Sequence, residues 1–362
     1  MLNKKFSTLF VLLFLLTTLL LSSCQPAPTA APVAAPAEES AAKPFRVGLI
    51  IATGGLGDRS FNDSGYAGVK RAQDELGIEF DYVEPKEIAE YEGHERAFAQ
   101  KGTYDLIVGL GFDQADPMTK VAKEFPEQKW LMIDGVIQDV PNVRSVTFKD
   151  FEKAFLIGGF AGQLTTLPLD KGNADCVIGG VGGMDIPLIK AFAAGYSAGA
   201  RYINPDCQVI INYVGGWADS AKGKEIALSM YDQKADIVYA FAGGSGLGVF
   251  EAAKAKDLYA LGTDVNQNYI DPDHIVLSAQ RYLDNVIFDT IKALKEESKF
   301  EAGWHELGLK ENAVGYTLES SNVKVPDEVV KKVEEMKAKV ISGELVPPST
   351  LEEVDAFVKG LK

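Results

Sequence analysis

One twelve-residue stretch, Gly54-Gly55-Leu56-Gly57-Asp58-Arg59-Ser60-Phe61-Asn62-Asp63-Ser64-Gly65, gathers four glycines around a carboxylate, an aromatic ring and an amide. Carboxylates and amides match the N–H and hydroxyl groups of a ligand, and a ring offers a face for stacking. Glycines allow the sharp turns and close approaches that such a loop needs. The chemistry of Asp58, Phe61 and Asn62 is therefore binding and orientation of a small molecule. A second reading of the same residues is a capping loop, with Asp58 or Ser60 at a helix N-terminus and Phe61 packed inward. Further residues of these types recur at the ends of strand-like runs, Phe112, Asp113, Asp134, Trp217, Asp219 and Asp264, joined by the cation Arg281. Two aromatics from corresponding loops could sandwich a flat ring between them.

The elements that must position these residues alternate regularly. Val47-Gly48-Leu49-Ile50-Ile51 reads as a buried parallel strand, and Val69, Ala72 and Leu76 fall at helical spacing after it. Runs at 80–83, 104–110, 129–134 and 143–148 read as further strands, with helices between. The pattern then restarts. A Gly- and Ala-rich helix over 151–165 is expected to pack closely against a neighbour. Strands follow at 176–180, 208–214, 236–241, 258–262 and 275–279. This repetition predicts an α/β fold of two Rossmann-like lobes with parallel sheets. Ligands of such sheets bind at the carboxyl ends of the strands. The expected organisation is lobe 1 over 44–148, lobe 2 over 149–270, and return segments, hinge crossovers and C-terminal helices over 271–362. Crossovers are expected near Phe148–Phe151, 267–282 and 312–325.

Catalytic and nucleotide motifs fail one by one. No Gly-x-Gly-x-x-Gly is complete, and no phosphate loop, zinc-protease helix or serine elbow occurs. The three histidines, His94, His274 and His305, lie far apart. No spacing suggests a metal, so neither cofactor nor catalytic residue is expected. The formal charge of −15 argues against nucleic acid as a partner. Cys176 and Cys207 each precede a strand-like run; a disulfide and a free buried pair are equally compatible with the sequence.

The amino terminus has a basic start (Lys4, Lys5), an apolar run from Leu9 to Leu21, and Leu21-Ser22-Ser23-Cys24. This is the pattern of a secretory signal over 1–23, too short for a membrane span. The position of Cys24 resembles a bacterial lipobox, which implies cleavage before Cys24 and lipidation of its thiol. Residues 24–43, rich in Pro and Ala, read as an extended tether.

The chain resembles the basic-membrane-protein (BMP), or PnrA-like, lipoproteins, substrate-binding proteins of ABC-type nucleoside importers. The carrying residues are Asp58-Arg59-Ser60-Phe61-Asn62, Gly109-Leu110-Gly111-Phe112, Phe125-Pro126, Ile133-Asp134, Pro141-Asn142-Val143, Gly179-Gly180, Val214 through Asp219, and Ala242-Gly243-Gly244-Ser245-Gly246. The resemblance implies a type I periplasmic binding protein with a ligand cleft between its lobes. It implies a purine nucleoside stacked between Phe61 and Trp217, with Asp134 or Asp113 at the base edge. Gly243 and Asp264 would hold the ribose. Two departures touch the sugar side. Asn266 replaces an acid, and Arg281 stands where the family has a lysine. A free purine base such as adenine is therefore an alternative to a nucleoside. The implied protein is a monomer, lipid-anchored on the extracytoplasmic face of the cell membrane, that delivers its ligand to an ABC permease and its ATPase and performs no chemistry. The alternatives are a ligand sensor on the same fold and an exported nucleoside-processing enzyme.

Overall fold

The computed structural model describes residues 43–361 apart from 168, 169 and 174. The signal segment, Cys24 and all but the last residue of the expected tether lie outside the described residues.

The first strands and helices run β1 (Arg46–Ile50), α1 (Phe61–Leu76), β2 (Glu79–Val83), α2 (Tyr91–Lys101), β3 (Leu106–Leu110), α3 (Ala115–Glu124), β4 (Trp130–Ile133) and β5 (Val143–Phe148). Each of these strands pairs in parallel. Apolar residues point to both faces: Val47, Leu49, Ile50, Leu106, Ile107 and Val108 are all fully buried. That is the pattern of a parallel sheet covered by helices on both sides.

The chain then crosses into α4 (Asp150–Leu164), β6 (Val177–Gly182), α5 (Pro187–Ile203), β7 (Gln208–Tyr213), α6 (Ser220–Asp232), β8 (Ile237–Phe241), α7 (Leu247–Lys256), β9 (Tyr259–Gly262) and β10 (Ile275–Arg281). The remaining elements are α8 (Leu283–Glu297), β11 (Gly303–Leu307), β12 (Val314–Thr317), α9 (Asp327–Ser342) and α10 (Leu351–Gly360). The two six-stranded sheets have the orders β11-β5-β4-β3-β1-β2 and β12-β10-β9-β8-β6-β7. Among the described strands only β12 runs antiparallel to its neighbour.

The last quarter of the chain divides between the lobes. Strand β10 pairs with β9, so the second lobe continues to Arg281. Helix α8 returns to the first lobe, where the Arg71 guanidinium of α1 lies 3.8 Å from the Phe288 ring centroid. Strand β11 completes the first sheet beside β5. The chain then passes back to β12, and α9 and α10 pack on α4 and α5 of the second lobe. The crossovers thus lie between β5 and α4, β10 and α8, and β11 and β12. The last carries the chain away from the first lobe, and the 267–282 segment stays in the second until its end.

The expected close packing of α4 occurs against α5. A Cβ on Gly199 would stand 1.9 Å from the Phe155 carbonyl oxygen, and one on Gly158 2.0 Å from that of Tyr196. The backbones therefore touch directly, which fixes the residues that α4 and α5 send toward the cleft. A Cys176–Cys207 disulfide joins the entries of β6 and β7, resolving the open choice in favour of a bond. It lies at the end of the second sheet away from the cleft.

One buried group of the first lobe is costly. Glu95 of α2 is 0% exposed, and neither of its oxygens has a hydrogen-bond partner among the described residues. Burial pushes its pKa from 4.5 up to about 8. Between those values the folded state holds a proton that the unfolded chain lacks. Its effect is therefore a loss of stability as pH rises from about 4.5 to about 8, at about 1.4 kcal/mol per pH unit. Glu95→Gln is expected to exceed the parent in urea unfolding at pH 9, with the gap closing below pH 4.5. A gap that does not vary with pH would refute this.

Candidate functional site

Because the strands run parallel, their carboxyl ends collect at one edge of each sheet, and the two edges meet across a cleft. The loop after β1 is built by its own polar groups. Asp58 accepts N–H bonds from Ser60 (2.9 Å), Asn62 (2.9 Å) and Asp63 (3.1 Å). Asn62 accepts from the Ala52 N–H (3.1 Å) and donates to the Gly55 carbonyl (3.0 Å). Both side chains border the cleft, yet they are engaged in holding the loop and the start of α1. The Phe61 ring is left to face the cleft. The capping reading thus holds for Asp58, and Phe61 borders the cleft. Burial raises the Asp58 pKa to about 6, against the three N–H groups that favour its charge. Asp58→Ala removes this cap and is expected to lower stability by about 1–2 kcal/mol. A urea midpoint equal to the parent's would exclude the capping role.

Phe112 and Asp113 sit in a short helical turn after β3. Asp113 makes no hydrogen bond among the described residues, and burial alone raises its pKa. Asp134 and Asp264 follow β4 and β9 in the left-handed region, at φ 70° and 65°. Such backbone strain is tolerated best by Asp and Asn and concentrates at binding sites. Trp217, after β7, lies flat on the backbone: a Cβ on Gly183 would stand 2.3 Å from its ring. Gly243, after β8, also borders the cleft. Asp219 does not. Its carboxylate accepts the Lys222 N–H (2.9 Å) and caps α6, while its own N–H donates to Ser245 Oγ (2.9 Å). A helix start two residues beyond the tryptophan took the acid that the sequence reading assigned to the ligand.

Arg281 and Asp134 form an ion pair between the lobes. Arg281 Nε lies 3.3 Å from Asp150 Oδ1 and Nη1 lies 3.7 Å from Asp264 Oδ1. Lys153 Nζ lies 2.8 Å from Asp150 Oδ1 and 3.7 Å from Asp264 Oδ1. All five residues are 7% exposed or less. Burial pushes the Asp134 pKa up against the lowering charge of Arg281. It pushes the Lys153 pKa down against Asp150. Asp150 and Lys153 were missed in the sequence. Their signal was a pair of charges three residues apart at the start of an otherwise apolar helix.

The lobes are closed on each other. Ser60 Oγ donates to Asp264 Oδ2 (2.6 Å), and Gln267 Nε2 donates to the Arg59 carbonyl (2.9 Å). Between them lies a cleft lined by residues of both lobes. Ten of the eleven expected ligand residues line it; Asp219 is the exception. Leu188, Ile189, Phe192 and Phe241 add an apolar wall. Phe192 and Phe241 stack at 5.7 Å and 12°. Nothing in the sequence separated these four from ordinary core residues. No cluster of potential metal ligands occurs among the described residues.

Residues 45–350 match the model of the family described as ABC transporter substrate-binding protein PnrA-like. An uncharacterized lipoprotein of Pyrococcus abyssi is 32% identical, over 90% of this chain and 89% of its own. The ABC transporter nucleoside-binding protein BmpA of Lactococcus lactis subsp. cremoris is 32% identical, over 84% of this chain and 89% of its own. A solved structure of an ABC transporter solute-binding protein from Aeropyrum pernix K1 has a TM-score of 0.78 and 30% identity, covering 88% of this chain and 97% of that one.

Proposed function

The chain belongs to the PnrA-like family of ABC transporter substrate-binding proteins, and on that premise we propose that its cargo is a purine nucleoside or a purine base. The ligand stacks between Phe61 of the first lobe and Trp217 of the second. Asp113, an uncommitted carboxylate on the cavity wall, accepts N–H bonds from the base edge. Asp134 is less suited to that place, because Arg281 already holds it. The observation that carries this reading is one cleft with an aromatic ring from each lobe and, on its wall, a carboxylate that has no hydrogen-bond partner among the described residues. Binding is by lobe closure, and no bond of the ligand is broken. Lipid on Cys24 and the tether after it keep the domain at the extracytoplasmic face of the membrane, as the lipoprotein relatives suggest, within reach of a permease and its ATPase. The protein acts as a monomer.

The test is calorimetric titration of the refolded protein, freed of carried-over ligand, with adenine, guanine and hypoxanthine and their nucleosides. Saturable binding of at least one purine supports the reading. Heat from none of them would remove it and leave only the family and its fold.

A further inference from the structure

We infer that Arg59, Ser60 and Gln267 form a latch that holds the lobes shut over the ligand from outside the cleft, with Ser60 and Gln267 as positioning residues for binding. The inference rests on the reading of binding as lobe closure, and it applies to whatever the cleft carries.

Two hydrogen bonds make the latch. Ser60 Oγ of the first lobe donates to Asp264 Oδ2 of the second at 2.6 Å. Gln267 Nε2 of the second lobe donates to the Arg59 carbonyl of the first at 2.9 Å. Each lobe thus supplies one donor, and the first lobe's two groups come from adjacent residues. Ser60 is 0% exposed and Gln267 2%, so water competes little for either bond. Asp264 borders the cleft, whereas Arg59, Ser60 and Gln267 do not.

Each half is shaped in advance by its own lobe. Arg59 sits in the left-handed region at φ 50°, as Asp264 does at 65°, and an arginine adopts that conformation only when neighbours impose it. The Asp63 carboxylate does so, accepting the N–H groups of Gly57 (2.8 Å) and Arg59 (2.9 Å). Gln267 is held as firmly. Its Oε1 accepts the Thr263 N–H (2.7 Å), and its own N–H donates to Ser278 Oγ (3.0 Å). A Cβ on Gly262 would stand 2.8 Å from Gln267 Oε1, so that glycine clears the space the side chain fills. Turn and cap chemistry accounts for Asp63 and Asp58. It gives no reason for each lobe to hold one strained residue whose partner lies in the other lobe. Strain held in this way is a property of ligand clamps and switches. A latch made of protein alone stabilises the closed form by the same increment whatever lies inside. The ligand feels it as tighter binding and slower release.

The test compares the parent with Ser60→Ala and Gln267→Leu, using the refolded full-length chain in detergent, with adenine and adenosine as probes. Ser60→Ala removes a bond to a carboxylate and is expected to weaken binding about tenfold or more; Gln267→Leu removes a neutral one and should cost about threefold to tenfold. The two variants disturb different cleft residues, Asp264 and Thr263, so closure is what they share. In both, the loss is expected in a faster dissociation rate with the association rate nearly unchanged, and by the same factor for every purine that binds. Affinities equal to the parent's in the folded variants, or losses that differ between ligands, would overturn the inference and leave the purine reading standing. Binding of no purine by the parent would remove that reading, and the latch is then judged on the ligand-free chain. Spin labels on Lys86→Cys and Lys222→Cys, one exposed position on each lobe, report the distance between the lobes. A longer distance in both latch variants would uphold the inference, and a distance equal to the parent's would overturn it.

Discussion

With Trp217 replaced by alanine, purine binding is expected to weaken roughly tenfold to a hundredfold, the equivalent of about 1–3 kcal/mol for the loss of one stacking face. Phe61→Ala should cost a similar factor, and the double variant should leave no measurable binding. The folded state should change little, because both rings are only partly buried and border the cleft. Trp217 also supplies its own readout. Trp130 is fully buried in the first lobe and Trp304 is 42% exposed on its edge strand. A purine placed against Trp217 should therefore quench the emission of that residue selectively, and Trp217→Ala should abolish the quenching. A variant that keeps the parent's affinity would exclude the sandwich.

Arg281→Met should be the most damaging single change to stability. It leaves Asp134, Asp150 and Asp264 buried against Lys153 alone. Removing one partner of a buried ionic group costs about 3–5 kcal/mol, because the remaining charges stay desolvated. The loss has a pH signature. Burial already raises the Asp134 pKa, and Arg281 opposes it. Without the cation, Asp134 holds a proton to still higher pH, so the folded variant binds a proton that the unfolded chain releases. The deficit relative to the parent should accordingly be larger at pH 8 than at pH 5 in urea unfolding. An equal deficit at both values would mean that lost packing, and not unpaired charge, is the cause.

The α/β repetition was legible because parallel strands covered on both faces are apolar throughout, as Val47–Ile51 and Leu106–Leu110 are. The loop residues were legible because ligand-facing types recur at strand ends. What escaped was the partner each side chain would choose. Asp58, Asn62 and Asp219 have the chemistry of ligand contacts, but nearby backbone N–H groups compete for the same oxygens and win. That contest depends on where α1 and α6 begin, to within a residue or two. Phe192 and Lys153 escaped for a different reason. Phe192 projects from the interior of α5 to the cleft, and Lys153 lies buried behind it in the first turn of α4, beside the close contact of the two helices. The third crossover was expected a few residues late because the strand at 303–307 was not read from the sequence. Its assignment to the first sheet depends on pairing with β5, more than 150 residues earlier.

That pairing also bears on how the protein is made. A chain leaves the ribosome, or an export channel, from its amino end. The first five strands emerge long before β11, and α1 emerges long before the α8 that covers it. The first lobe therefore remains unfinished at the β5 edge and along one face of α1 while the entire run from α4 to β10 is being released. An unpaired edge and an uncovered apolar helix face are the surfaces to which chaperones bind and at which chains aggregate. The nascent protein consequently passes through a long stage in which its older half depends on residues not yet delivered. No single cut between the lobes would yield two fragments able to fold on their own.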